Sequence, residues 1–198
     1  IEALSLGQSA TTIEAAVAAR SWSAAKEARV AGQDLLPAPS GRCHPVLDGD
    51  LEEALLAARI IAYAQGLDVL RAASEEYGWD IDLARTAEIW RAGCIIRSAL
   101  LDDIARAVRA GLPYGQLIFA GSFVRRLKEA IPALRRVVGR AVEGGLPMPA
   151  MASALSYFDT MRTGRGTTDL IQAQRDFFGR HGFERTDGSG DHHGPWAG

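Results

Sequence analysis

Residues 122–141 read SFVRRLKEAIPALRRVVGRA, and apolar side chains recur along this stretch at intervals of three or four positions. That spacing places them on one side of an α-helix of about five turns. Pro132 lies inside the series, and because proline has no amide hydrogen we expect a kink or a short break there. The stretch therefore predicts a long helix with one buried face, formed by Val124, Leu127, Ile131, Leu134, Val138 and Ala141.

Further helices are predicted on the N-terminal side of this stretch. Residues 11–14 (TTIE) have the form of a capping box, which predicts a helix from there to about Val30. Asp50 has the position of a capping residue before the longest predicted helix, which ends near Tyr77 because Gly78 follows.

The remaining segments carry the same kind of signal. Asp82 is placed to cap a helix that runs through Trp90, and Pro149 is placed as a first-turn proline. Asp169 is placed to cap a last helix that ends at Gly179. Because no stretch of alternating β-branched residues occurs, and no Asn-Gly or Asp-Gly pair lies between two apolar runs, the predicted fold class is all-α, without strands.

The composition excludes several classes of protein. The 198 residues are 47% hydrophobic and 23% charged, which suits a folded core and not a disordered chain. A net charge of −2 argues against a nucleic-acid surface, and no apolar run reaches the ~18–20 residues of a membrane span. Cys43 and Cys94 match no disulfide-scaffold or zinc spacing, so we expect a reducing, cytoplasmic compartment and no metal site.

Two short stretches could hold a metal but are interpreted as ordinary loop residues. Cys43 and His44 are adjacent, and His192 and His193 follow Asp191. Neither group has a second pair of ligands at metal-binding spacing. A loop without a metal is therefore the favoured interpretation of both.

The stretch WRAGCIIRS at residues 90–98 combines small residues with two arginines around an apolar segment. Small residues let two helices approach closely, so we predict a buried helix–helix corner here. Arg91 and Arg97 would pair with carboxylates or helix C-termini. A role in ligand binding is the alternative.

The stretch QAQRDFFGRH at residues 172–181 is the most informative of the chain. Gly179 can adopt a left-handed conformation and turn the chain back, which would bring His181 close to Arg175. A guanidinium and an imidazole beside a helix terminus suit a phosphate or a carboxylate. From the residues alone, a surface salt-bridge cluster is the more common alternative. The glycine-rich tail that follows contains one large apolar residue, Trp196, so it is either disordered or docked on another surface.

Taken together, these stretches resemble the C-terminal helical domain of decarboxylating 6-phosphogluconate dehydrogenases. The matching segments follow the order of the family and extend over nearly the whole chain. The resemblance implies an all-helical domain over residues 1–183 that binds substrate and forms a homodimer. It also implies a tail over residues 184–198 that docks on the partner subunit. The segments are residues 17–20 (VAAR), 26–30 (KEARV), 62–66 (AYAQG), 70–77 (LRAASEEY), 90–98, 145–149 (GLPMP) and 170–179 (LIQAQRDFFG).

The same resemblance implies an activity. Enzymes of this family are NADP-dependent oxidoreductases of the pentose phosphate pathway and of gluconate utilization, and they convert 6-phosphogluconate to ribulose 5-phosphate and carbon dioxide. The family's catalytic lysine and glutamate, and its nucleotide-binding domain, lie upstream of the matched region. We therefore expect no catalytic residue in this segment, NADP contacts mainly outside it, and no activity of the isolated chain. Because the chain begins at Ile1 and not at Met, we expect further sequence before it.

Three residues match substrate-binding positions of the family. Arg20 matches an arginine that holds the substrate phosphate, and Arg175 and His181 match the arginine and histidine that reach into the partner's active site. Arg180 departs from the small residue usual beside His181, and Phe183 replaces a tyrosine. A stand-alone helical interaction module derived from the same family is the alternative function.

Overall fold

Helices account for most of the chain in the computed structural model, which describes residues 1–36, 39, 45–92 and 94–196. The all-α prediction is confirmed, with one small exception in the tail. Within the described residues, two single-turn 3-10 segments, Pro113–Gly115 and Leu117–Phe119, precede α7. The α-helices are α1 (Glu2–Ser5), α2 (Thr11–Ser23), α3 (Lys26–Leu35), α4 (Asp48–Tyr77), α5 (Leu83–Trp90), α6 (Leu100–Arg109), α7 (Gly121–Glu143), α8 (Pro149–Met161) and α9 (Thr168–Gly179).

The chain forms two compact units, Ile1–Phe158 and Asp159–Gly198. The core of the first unit lies mainly where α4 packs against α7, and α5 packs against α6 beside it. Burying each large apolar side chain in such a core stabilises the fold by about 1.5–3 kcal/mol. The side chains that are almost completely buried include Ile60, Ile61, Ile104, Phe123, Leu127 and Leu134.

The helix predicted from residues 122–141 is confirmed as α7, and most of its apolar stripe is buried. The predicted break at Pro132 is wrong, because α7 continues through that residue without interruption. Pro132 lies on the exposed side of the helix. The carbonyl group that loses its usual amide partner therefore faces solvent, where water can satisfy it.

The start of α2 is held by a distant side chain and not by the predicted capping box. Thr11 is already part of the helix, and Ala10, which occupies the N-cap position, makes no side-chain hydrogen bond to it. Instead, the completely buried Gln65 of α4 accepts a hydrogen bond from the Thr12 amide at 3.0 Å and donates one to Thr11 Oγ1 at 3.1 Å. The helix also ends earlier than predicted, at Ser23.

The boundaries of α4 and α5 were predicted with mixed success. The cap at Asp50 is wrong, because α4 begins at Asp48 and the Asp50 carboxylate accepts a hydrogen bond from Arg136 Nε at 3.0 Å. This hydrogen bond holds the pKa of Asp50 below its usual value. The stop at Gly78 is confirmed by its left-handed φ of 65°, and Asp82 caps α5 through the Arg85 amide at 2.9 Å.

A small polar cluster fastens α4 to the segment before α7. Asp68 is 8% exposed and accepts hydrogen bonds from Arg71 at 3.1 Å and from Gln116 at 3.5 Å. Burial raises the pKa of this carboxyl group, and the two partners only partly offset that effect. Burial together with the charge of Asp68 raises the pKa of Tyr157 to about 12.

The buried corner predicted for residues 90–98 is wrong. In the part of this stretch that the structure describes, Ile95 is 99% exposed and Ile96 is 41% exposed. The Tyr63 hydroxyl donates a hydrogen bond to the Ile96 carbonyl and ties the segment to α4. Arg91 pairs with Asp102 at 2.7 Å, as expected, whereas no ion pair of Arg97 occurs within the described ranges.

The second unit contains α9 and a two-stranded antiparallel ribbon. Strand β1 (Phe183–Glu184) pairs with β2 (Asp191–His192), so the prediction of no strands is wrong for these residues. Each strand has only two residues, too short to produce a visible alternation of apolar and polar side chains. Most of the predicted tail, residues 184–198, lies in this ribbon and in the segment that follows it.

Candidate functional site

Helix α9 carries the residues that the sequence indicated most strongly. It begins at Thr168, without the predicted side-chain cap from Asp169, and ends at Gly179 as predicted. Arg175 is exposed, and its Nη1 lies 3.3 Å from Gln172 Oε1, one turn earlier on the helix. No ion pair of Arg175 occurs among the described residues, so its guanidinium is not neutralised within this part of the chain.

The turn after α9 differs from the predicted one in a single residue. Gly179 is the last helical residue, and the left-handed conformation belongs to Arg180, with φ of 51°. Gly182 is also left-handed, with φ of 74°. His181 therefore stands between two left-handed residues, which reverse the chain direction beside the end of α9.

Gly179 makes room for the His181 imidazole. A Cβ atom placed on Gly179 would lie 2.9 Å from His181 Nε2, closer than such contacts normally occur. The imidazole ring therefore lies directly against the last residue of the helix. A side chain at this position would displace the imidazole from its present place, and Gly179 itself is not in a left-handed conformation.

Asp176 organises the rest of the unit. Its side chain is completely buried, and its two oxygens accept hydrogen bonds from the Gly182 amide at 2.8 Å, the Gly194 amide at 2.8 Å and Trp196 Nε1 at 2.6 Å. His193 Nδ1 lies 2.6 Å from the same carboxylate. Burial by itself would raise the pKa of Asp176, but these partners outweigh burial and hold it far below its usual range.

A polar cavity of about 580 Å³ lies beside the turn. His181 lines it together with Gln172, Arg165, Asp169 and Asp191. Arg175 is not one of its lining residues, so the structure brings His181 to this cavity but not Arg175. The prediction that the turn would place Arg175 and His181 side by side is therefore not supported by the cavity.

Arg20, the third candidate, belongs to the first unit. It lies in the last turn of α2 and is exposed, and its Nη1 contacts Ser23 Oγ at 3.3 Å. No ion pair of Arg20 occurs within the described part of the chain. Many other arginines are paired with carboxylates, including Arg91 with Asp102 and Arg109 with Glu88. In the part of the chain that the structure describes, none of the three candidates forms an ion pair with a carboxylate.

The two possible metal stretches gain no support. Cys43 and His44 lie outside the described residues. His193 is engaged by Asp176, and residues 1–36, 39, 45–92 and 94–196 contain no group of three or more metal-ligating side chains. Over the same residues, none of the helices combines the length and the hydropathy needed to cross a membrane.

Sequence reasoning missed Asp176, although it lies inside the stretch that was singled out. Its burial results from donors 6, 17, 18 and 20 positions further along the chain, which no local pattern reveals. The sequence signal that could have indicated such a partner is the presence of Trp196 and two histidines in a tail that has no other large apolar residue.

Comparison with protein families matches residues 1–196 to the model of the 6-phosphogluconate dehydrogenase C-terminal domain. A chloroplastic decarboxylating 6-phosphogluconate dehydrogenase of Oryza sativa subsp. japonica is 42% identical over 205 residues, covering 99% of this chain and 40% of the relative. The decarboxylating enzyme of Haemophilus influenzae is 43% identical over 197 residues, covering 94% of this chain and 39% of the relative.

A solved structure gives the same result. It is that of Plasmodium falciparum 6-phosphogluconate dehydrogenase, described in its apo form, with its cofactor NADP⁺ and with its substrate 6-phosphogluconate. Its TM-score is 0.87 at 36% sequence identity, covering 98% of this chain and 43% of the solved chain. This chain therefore spans about two fifths of the length of the relatives it matches.

Proposed function

The chain belongs to the family of the 6-phosphogluconate dehydrogenase C-terminal domain, and on that premise we propose that it is the substrate-binding part of an NADP-dependent oxidoreductase. The complete enzyme would oxidise and decarboxylate 6-phosphogluconate to ribulose 5-phosphate in the pentose phosphate pathway. Arg20 would bind the substrate phosphate, and Arg175 and His181 would bind the phosphate in the active site of the partner subunit. The acid–base chemistry and most NADP contacts would come from sequence upstream of the matched region.

One observation carries this proposal. Arg20, Arg175 and His181 have no carboxylate partner within the described residues, so their side chains are available to an anion. Other arginines, such as Arg97, share this property, and the three candidates differ from them by their resemblance to substrate-binding positions of the family. A phosphate dianion is bound best by guanidinium groups, which donate two parallel hydrogen bonds, and an imidazole can add a further donor. Guanidinium and imidazole groups without a carboxylate partner are what a phosphate site requires.

We further propose that the domain forms a homodimer, in which the tail, residues 184–198, docks on the partner subunit. Helix α3 has no buried residue, and its Val30 is 55% exposed and its Leu35 is 77% exposed. On α2, Val17 and Trp22 are 66% and 59% exposed. Apolar side chains exposed in such numbers on neighbouring elements are characteristic of a surface that a partner covers.

The cytoplasm remains the proposed compartment. The cysteine pattern favours a reducing environment, and the relatives include bacterial as well as chloroplastic enzymes. A preference for NADP would be decided mainly outside this segment.

A steady-state assay tests the proposed function directly. The isolated 198-residue chain and the same chain joined to its natural upstream sequence would each be incubated with 6-phosphogluconate and NADP⁺. We expect NADPH and carbon dioxide only from the joined protein. Turnover by the isolated chain above the rate without protein would contradict the proposal. So would a folded joined protein that does not turn over 6-phosphogluconate.

A further inference from the structure

Asp176 has no role in the proposed phosphate site, although it directly follows Arg175 and is completely buried. A buried carboxylate is costly unless hydrogen bonds compensate for its lost hydration. Here the compensation comes from four donors, none of which lies within α9. This arrangement suggests that the carboxylate holds those four groups in place.

The first oxygen of Asp176 holds the turn that carries His181. Oδ1 accepts the Gly182 amide at 2.8 Å, and the Gly182 carbonyl accepts a hydrogen bond from Gln172 Nε2 at 2.5 Å. Two side chains of α9 therefore fix both polar backbone groups of the residue that follows His181. On the other side, the Arg180 amide donates to the Asp176 carbonyl at 2.8 Å. His181 is thus anchored through both of its neighbours, and the anchor on the Gly182 side depends on the Asp176 carboxylate, whereas the one on the Arg180 side is a backbone hydrogen bond.

The second oxygen holds the end of the tail. Oδ2 accepts the Gly194 amide at 2.8 Å and Trp196 Nε1 at 2.6 Å, and the Trp196 ring packs edge-on against Phe177 at 5.7 Å. The turn and the tail therefore depend on one carboxyl group. An asparagine at this position would offer one acceptor oxygen in place of two, so it could not satisfy all four donors.

We propose that Asp176 is a positioning residue for His181, holding the imidazole against Gly179 and coupling its position to the docking of the tail. The proposal rests on the proposed role of His181 in phosphate binding. Asp176 itself does not contact the ligand and acts through the Gly182 amide. Order in residues 193–196 and affinity for a phosphorylated substrate are thereby linked.

The test combines a measurement without ligand and a kinetic one. In the 198-residue chain, NMR would follow the exchange rate of the Gly182 amide and the imidazole shifts of His181. For Asp176→Ala we expect exchange to be faster by about tenfold or more, with displaced His181 shifts. In the joined protein, we expect the KM for 6-phosphogluconate to rise about tenfold with a much smaller change in kcat.

Three further variants separate the possibilities. Trp196→Phe removes one donor from Oδ2 only, so we expect the tail to loosen while Gly182 stays largely protected. Asp176→Asn keeps the side-chain volume and one acceptor oxygen, so its Gly182 exchange rate should lie between those of wild type and Asp176→Ala. Asp187→Ala, which removes an exposed carboxylate paired with Arg185, should match wild type. If α9 loses its helical shifts in Asp176→Ala, the Asn variant decides the question.

Two outcomes would overturn the proposal: an unchanged Gly182 exchange rate and His181 shifts in both Asp176 variants, or an equal effect of Asp187→Ala. Failure of the proposed function would be recognised separately. In that case the wild-type joined protein would not turn over 6-phosphogluconate, while the ligand-free measurement would still decide whether Asp176 positions His181.

Discussion

At the scale of single residues, the end of α9 depends on which residue adopts the left-handed conformation. Glycine adopts it without steric cost, whereas for other residues it costs about 1–2 kcal/mol. In this chain Arg180 adopts it, with φ of 51°, and Gly179 remains helical. The glycine is instead used for space, because the His181 ring lies against it.

Replacing Arg180 with glycine should therefore stabilise the second unit. The released strain exceeds the extra conformational entropy that glycine has in the unfolded chain, so we expect a gain of about 0.5–1 kcal/mol. Hydrogen exchange of the α9 amides measures it. Arg175→Gly is the matched control, because the same substitution inside the helix should destabilise by about 1 kcal/mol. Loss of protection in Arg180→Gly would show that the Arg180 side chain outweighs the backbone strain.

The residue scale also marks the limit of prediction from the sequence. Arg20, Arg175 and His181 were selected from a resemblance to family positions and stay a prediction, whereas the end of the helix at Gly179 is confirmed. Asp176 was missed because its four donors are brought to it only by the folding of the tail. Burial caused by residues far along the chain leaves no local pattern in the sequence.

At the scale of elements, two helix ends were predicted correctly because one residue acts on neighbouring backbone groups, whereas the local caps predicted at Asp50 and Asp169 were wrong. Asp82 caps the start of α5 by accepting a hydrogen bond from the Arg85 amide. Gly78 ends α4 by adopting a left-handed conformation directly after it. The start of α2 was predicted wrongly because its polar groups are satisfied by Gln65, more than 50 positions away. The sequence contains a good capping box there, but tertiary contacts take precedence over it.

Gln65→Met should expose this dependence. Methionine keeps the approximate volume but leaves the Thr12 amide without its buried partner, so we expect a loss of about 1–3 kcal/mol in the free energy of unfolding. Urea unfolding measures the loss, and faster exchange of the Thr12 amide would locate it at the start of α2. Gln33→Met on the exposed surface of α3 is the control and should change stability by less than about 0.5 kcal/mol. Equal effects of the two substitutions would contradict the assignment of Gln65.

The contact between the tail and α9 should depend on pH in a defined direction. The pKa of Asp176 is lower in the folded chain than in the unfolded chain, so its ionised form is the one that stabilises. This contribution is complete above the unfolded pKa of about 3.9 and is lost as the pH falls below that value. NMR of the Trp196 indole N–H should therefore show a docked tail at pH 7 and pH 5, and increasing exchange below about pH 4. Release of the tail between pH 8 and pH 6 would contradict this prediction.

At the scale of the whole molecule, the described chain leaves apolar side chains and arginines without ion pairs on its surface. The packing of α4 and α7 gives the first unit a core, and one carboxylate gives the second unit its order. Within the described residues, apolar side chains of α2 and α3 remain exposed, and Arg20 and Arg175 form no ion pair with a carboxylate. The proposed dimeric enzyme, which would bind a phosphorylated sugar acid, would account for both features.

The most direct test of this account is the kinetics of Arg175→Ala in the protein that carries the complete upstream sequence. Loss of a charged hydrogen-bond donor to phosphate should raise the KM for 6-phosphogluconate about 10–100-fold, while the KM for NADP⁺ changes little. Arg185→Ala, which removes an arginine paired with Asp187, should leave both constants unchanged. A similar rise in both constants for Arg175→Ala, or none in either, would contradict the account.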